Sequence, residues 1–65
     1  SQLISCLREL YRFNSRYART LNLKYQGYSV EEICAKLKVT ANHFYVILSR
    51  ARSMLKECLE KGGIG

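Results

Sequence analysis

The sequence predicts an all-α fold: one small domain of four helices. No period-two alternation of apolar and polar residues runs long enough to build a sheet, and proline is absent. Apolar residues instead recur at spacings of three and four, the pattern of amphipathic helices. Sixty-five residues make one domain at most. A domain of that size buries only about 60% of the surface its unfolded chain exposes, so its stability margin is expected to be thin.

Leu3, Ile4, Leu7, Leu10 and Tyr11 share one face and predict a first helix over Gln2 to Tyr11. Asn14 and Ser15 interrupt it, because both side chains compete for backbone hydrogen bonds and favour caps. A second helix is expected from about Ser15 to Tyr25, with Phe13, Tyr17, Ala18, Leu21 and Tyr25 turned inward. Gly27 follows its last turn, where a left-handed residue commonly closes a helix.

Ser29 and Glu32 form S-x-x-E, a capping box in which serine and glutamate each satisfy an amide of the other's turn. The third helix is therefore Val30 to about Leu37, with Ile33, Cys34 and Leu37 inward. Lys38 and Val39 make the turn, and Thr40 is the next N-cap. The fourth helix can run from Ala41 to about Glu60 without a breaker. Gly62, Gly63 and Gly65 follow, so residues 1–61 are read as the domain and 62–65 as a flexible tail. The chain begins at Ser1 directly in an apolar-periodic pattern and is expected to be a piece of a longer protein.

At about 100° per residue, Phe44, Ile47, Leu48, Ala51, Met54, Leu55 and Cys58 cluster within roughly 60° of Ala51 and form the expected buried stripe of the fourth helix. Asn42, Tyr45, Val46, Ser49, Ser53 and Lys56 lie opposite, with Arg50 and Arg52 on the flanks. A short helix, a tight turn and a longer helix with a polar outer face are the layout of a wingless helix-turn-helix, whose second helix commonly enters the major groove of DNA. Asn42, His43, Tyr45, Val46 and Ser49 are the candidates for base edges. Asn42 has the geometry for a bidentate contact to adenine, and Val46 for packing on a thymine methyl. Each residue taken singly is equally readable as an ordinary solvated position.

Eleven Lys and Arg against five Asp and Glu leave a formal charge of +6. Polyanions are natural partners of such a surface, and the excess also serves solubility. Arg8, Arg12, Arg16 and Arg19 recur at helical spacing, either to meet phosphates or acidic protein, or as the solvated side of two helices. Cys6, Cys34 and Cys58 are odd in number and widely spaced, with no CxxC pair and a single histidine. Neither a disulfide framework nor a metal site is indicated, and all three are expected as small core hydrophobes in a reducing cytoplasm. His43 has no residue placed to orient it, and paired carboxylates, a glycine-rich phosphate loop and a nucleophile motif are missing. Neither enzymatic activity nor a cofactor is expected. No stretch has the length of a membrane span or the form of a signal peptide.

Together, Leu7-Arg8-Glu9-Leu10, then Gly27-Tyr28-Ser29-Val30-Glu31-Glu32-Ile33-Cys34, then Leu37-Lys38-Val39-Thr40, and then Leu48 through Glu60 with its R-A-R-x-x-L-x-x-C-L-E run, resemble the C-terminal domain (region 4) of a bacterial RNA polymerase sigma factor. The extracytoplasmic-function group is the nearest in flavour, and the resemblance covers about Gln2 to Lys61. It implies four helices, the last two a helix-turn-helix that binds the minus-35 element of double-stranded promoter DNA. It also implies docking on the flap of the polymerase β subunit and, often, masking by an anti-sigma factor; separately, a monomer in the cytoplasm is expected. Carried over by position, the DNA-reading residues are Thr40, Asn42, His43, Tyr45, Val46, Ser49 and Arg50, with Arg52 near the backbone. Leu10, Phe13, Tyr17 and Leu21 are the candidates for flap docking, and are equally explained as core.

The chain departs from the family pattern at three places. Lys38 stands where a turn glycine is common and is expected in a left-handed conformation. Tyr45 stands where a basic residue is common, and Tyr11-Arg12-Phe13 replaces a proline-containing turn. Two other functions compete. A response-regulator type of helix-turn-helix shares G-x-S-x-x-E-I but would act as a dimer on paired half-sites. A protein-interaction module would use the exposed Tyr45 and Val46 to meet its partner.

Overall fold

Four helices follow one another with short joints: α1 (Gln2–Phe13), α2 (Ser15–Tyr25), α3 (Val30–Leu37) and α4 (Ala41–Glu60). The structure, a computed structural model, describes residues 2–61, so the expected tail at 62–65 lies outside the described residues. Among the described residues every element is helical. No helix is long and apolar enough to cross a membrane.

The joints show why the helices stop where they do. Between α1 and α2 a single residue, Asn14, leaves helical geometry at φ −155° and ψ 98°, and its Oδ1 accepts the Tyr17 N–H at 3.2 Å. α1 therefore continues to Phe13, two residues beyond the expected end. At the end of α2 the Gly27 N–H donates to the Lys24 carbonyl and the Tyr28 N–H to that of Leu23, the paired bonds of a Schellman closure. Gly27 supplies the positive φ of 94° that this closure needs. The capping box at the start of α3 is complete: Ser29 N–H donates to Glu32 Oε1 at 2.9 Å, and Glu32 N–H to Ser29 Oγ at 3.1 Å.

α2 and α4 pack on each other, and α1 and α3 each pack on both. The core between them holds Cys6 and Leu10 from α1, Ala18 and Leu21 from α2, Ile33 from α3, and Phe44, Leu48, Ala51 and Leu55 from α4. Phe44, Ile33 and Leu21 are fully enclosed. Thr20 is buried among them, and its hydroxyl donates to the Arg16 carbonyl at 2.8 Å, which removes the cost of enclosing a polar group.

Two expected inward residues face out. Phe13 is 72% exposed and Tyr25 is 54% exposed. Both sit at helix ends, where the chain turns away from its neighbours, so correct periodicity does not bring burial.

The cysteines depart furthest from expectation. Cys6 and Cys58 are joined in a disulfide, with Cα atoms 5.8 Å apart. Packing of α1 against the end of α4 brings them to a separation that a disulfide spans without backbone movement. Their separation of 52 positions in the sequence hides this pairing from any reading of spacing. Cys34 is the free thiol and is half-buried against the core.

Candidate nucleic-acid interface

The start of α4 is fixed from both sides. Lys38 holds the left-handed conformation at φ 56° and ψ 50°, which turns the chain sharply after α3, and the Val39 N–H closes that end on the Cys34 carbonyl at 3.1 Å. Thr40 then sits extended, and its Oγ1 accepts the His43 N–H at 3.1 Å. Phe44, Ile47, Leu48, Ala51 and Leu55 anchor one side of α4 in the core, so the other side projects along several turns.

The residues expected to meet DNA are open to solvent. Thr40, Asn42, His43, Tyr45, Val46, Ser49, Arg50 and Arg52 are all exposed. Asn42, Tyr45, Val46 and Ser49 follow one another at three- and four-residue steps and make one continuous stripe. The Tyr45 ring leans edge-on against Phe44, with centroids 5.1 Å apart, so a core residue limits where the phenol can swing. Arg52 stands about 15 Å further along the axis than Asn42 at 1.5 Å per residue. It lines a groove of about 350 Å³ with Tyr25, Leu55, Lys56, Leu59 and Glu60 and does not join the stripe.

The four residues expected to dock on a polymerase partner do not share a surface. Leu10 and Leu21 are 4% and 0% exposed, because each lies on the inward stripe of its helix and packs in the core. Tyr17 is half-buried. Only Phe13 is open, at the rim of a shallow groove of about 210 Å³ with Cys6, Glu9, Leu10, Met54 and Cys58.

Charge separates the surface more sharply than the total of +6 suggests. All five acidic residues sit at positions 9, 31, 32, 57 and 60, so the chain from Ile33 to Lys56 carries Lys36, Lys38, Arg50, Arg52 and Lys56 and no acid. Glu32 has a lowered carboxyl pKa. Its hydrogen bonds from the Ser29 amide and hydroxyl, with a smaller contribution from Lys36, hold its carboxyl below the usual range against slight desolvation.

A second basic feature is a groove of about 300 Å³ lined by Tyr11, Ser15, Arg16, Arg19, Lys36, Leu37 and Lys38, the last of which stands two residues before the Thr40 cap of α4. The spacing of Arg16 and Arg19 is visible in the sequence. Their meeting with two lysines from the far end of α3 is not, since it depends on how α2 and α3 pack.

Compared with protein-family models, curated proteins and solved structures, the chain matches none.

Proposed function

We propose that this chain is a DNA-binding domain that recognises a promoter element through the first turns of α4, in the manner of the sigma-factor C-terminal domain that its sequence resembles. In this reading α3, the turn at Lys38 and Val39, and α4 are a helix-turn-helix, and α4 is the helix that enters the major groove. One observation carries it: the exposed stripe of Asn42, Tyr45, Val46 and Ser49 on a helix anchored by Phe44, Ile47 and Leu48, within a segment free of acidic residues. Asn42 and Ser49 offer donors and acceptors to base edges, Val46 offers an apolar contact to a thymine methyl, and Arg50 holds a phosphate. RNA polymerase is then the larger assembly in which the domain works, and the cytoplasm is where it works. There the Cys6–Cys58 bond meets a reducing pool.

The test is enrichment of duplexes from a random library on the purified chain, followed by titration of an enriched and a scrambled duplex at two salt concentrations. A short, non-palindromic preferred element and a salt-sensitive affinity are expected, with the scrambled duplex in the range of roughly 10⁻⁴ to 10⁻⁶ M. Equal affinity for both duplexes with a flat salt response rejects the reading. A palindromic element bound by a dimer favours the response-regulator type.

The exposure of Tyr45 at 56% and Val46 at 45% supports a second reading, in which a protein such as an anti-sigma factor covers the same stripe. Alanine at both positions then weakens binding of the protein partner more than binding of DNA.

A further inference from the structure

Four basic residues from two helices and a turn line one groove, without an acid among its lining residues. Arg16 and Arg19 come from α2, Lys36 from the last turn of α3, and Lys38 from the left-handed turn that follows it, with Tyr11 and Ser15 contributing hydroxyls. With no acid in the lining to offset them, an anion seated there meets uncompensated positive charge.

Their present engagements are few. Among the described residues the ion pair present is Arg12 to Glu9 at 3.5 Å, and Arg16, Arg19 and Lys38 take part in none. Lys36 rests its Nζ 5.0 Å from the centre of the Tyr28 ring and lies within electrostatic reach of Glu32, whose carboxylate is already occupied by Ser29. The four-arginine stripe of α1 and α2 is thus divided. Arg12 is held by Glu9 and Arg8 lies outside the groove, while Arg16 and Arg19 face it with the two lysines.

We propose that this groove is a phosphodiester-binding site that grips the nucleic-acid backbone beside the element read by α4. The choice of duplex DNA as the source of the phosphates rests on the function proposed above. Placement supports that source: Lys38 stands two residues before Thr40, the N-cap of α4, so the groove opens next to the amino end of the stripe. Arginine forks suit phosphate oxygens geometrically, and lysines add mobile charge. Backbone contacts of this kind set register and affinity and carry no sequence information.

The experiment compares wild type, the double variant Arg16→Gln with Arg19→Gln, and the control Arg8→Gln with Arg12→Gln. Each is titrated with an enriched and a scrambled duplex across a salt series, and with inorganic pyrophosphate followed by amide NMR shifts. All four arginines are exposed and glutamine suits a helix, so the variants keep the fold.

The groove variant is expected to lose affinity for both duplexes by the same factor, about 8-fold at about 0.1 M salt for each phosphate contact removed, with the slope of log K against log salt shallower by about 0.9 per contact. The control keeps the wild-type slope. Pyrophosphate shifts amides around Arg19 and Lys38 weakly, and an excess of it does not displace the duplex, which assigns the site to the polymer backbone. A groove variant with the wild-type slope overturns the proposal, as does a control that loses as much; a sequence preference kept in either case leaves the α4 reading intact. If the slope falls as expected but the wild type never distinguishes the two duplexes, the groove stands and promoter recognition fails. Pyrophosphate that competes fully with the duplex at equal concentration assigns the site to a free phosphate compound and overturns the backbone assignment.

Discussion

Cys6 in the middle of α1 and Cys58 near the end of α4 are bonded to each other, so the first and last helices of the chain are tied across 52 residues. Closing so long a loop removes conformational freedom from the unfolded chain, which the chain-entropy model values at about 4 kcal/mol. That is a large share of the roughly 5–15 kcal/mol that stabilises an ordinary domain, and this one has a small core.

Reduction is therefore expected to lower the melting temperature by more than about 10 °C, since about 1 kcal/mol shifts a domain of this size by about 4–8 °C. Circular-dichroism melts with and without dithiothreitol measure it. A Cys6→Ala, Cys58→Ala variant should melt near the reduced wild type and ignore the reductant. Coincident melts of oxidised and reduced wild type would show that the link adds nothing.

Lys38 and Gly27 both have positive φ, at 56° and 94°, yet only one is a glycine. The left-handed conformation costs a residue with a Cβ about 1 kcal/mol. Lys38→Gly should therefore stabilise the fold by up to about 1 kcal/mol, while Lys38→Ala, which keeps the strain, should not. Nothing lies within 4 Å of a Cβ added at Gly27, so the cost of Gly27→Ala, about 1 kcal/mol, comes from the backbone alone. Urea unfolding of the three variants separates these effects, and equal gains from Lys38→Gly and Lys38→Ala would remove strain as the explanation.

The local signals were legible because each is written within four residues. The Ser29–Glu32 box, the Thr40 cap and the Gly27 closure place the ends of three helices as read, and the 100° sorting of α4 separates Phe44, Ile47 and Leu48 from Asn42, Val46 and Ser49. Long-range relations were not legible. The Cys6–Cys58 bond and the meeting of Arg16 and Arg19 with Lys36 and Lys38 depend on how helices pack, to which spacing is blind. Phe13 marks a third limit: it has the right period for burial but stands at a corner where no helix remains to cover it.

The capping box should be sensitive to acid. Glu32 has a lowered pKa, first through the bond from the Ser29 amide, then through the Ser29 hydroxyl and Lys36. A carboxyl that is more acidic folded than unfolded stabilises the fold above its unfolded value of about 4.3, and that stability is lost as pH falls through the lower folded value. Glu32→Gln keeps a capping amide without a charge to titrate. Wild type should exceed this variant in stability near neutral pH, with the gap closing below about pH 4. Urea midpoints across that range measure it, and a gap independent of pH would assign the box no electrostatic part.

Asn42 and Arg50 should fail in different ways if α4 reads DNA. Both are exposed, but Asn42 lies in the first turn of α4, where side chains reach base edges, and Arg50 lies more than two turns on, at a flank. Asn42→Ala should cost about 1–3 kcal/mol on the enriched duplex and relax the preference at a single base pair, while leaving the scrambled duplex unaffected. Arg50→Ala should weaken both duplexes alike and make the salt slope shallower by about 1. Thr40→Ala separates a third effect. Its hydroxyl caps α4 through the His43 amide, so the variant should lose about 1 kcal/mol of stability. Any loss of DNA affinity should then follow from fraying of the first turn and be greatest at the base pair that Asn42 reads. Anisotropy titrations of a panel of single-base-pair variants give all three profiles. If Asn42→Ala lowers every duplex equally, α4 contributes charge and shape but no readout, and the partner-protein reading of Tyr45 and Val46 becomes the stronger one.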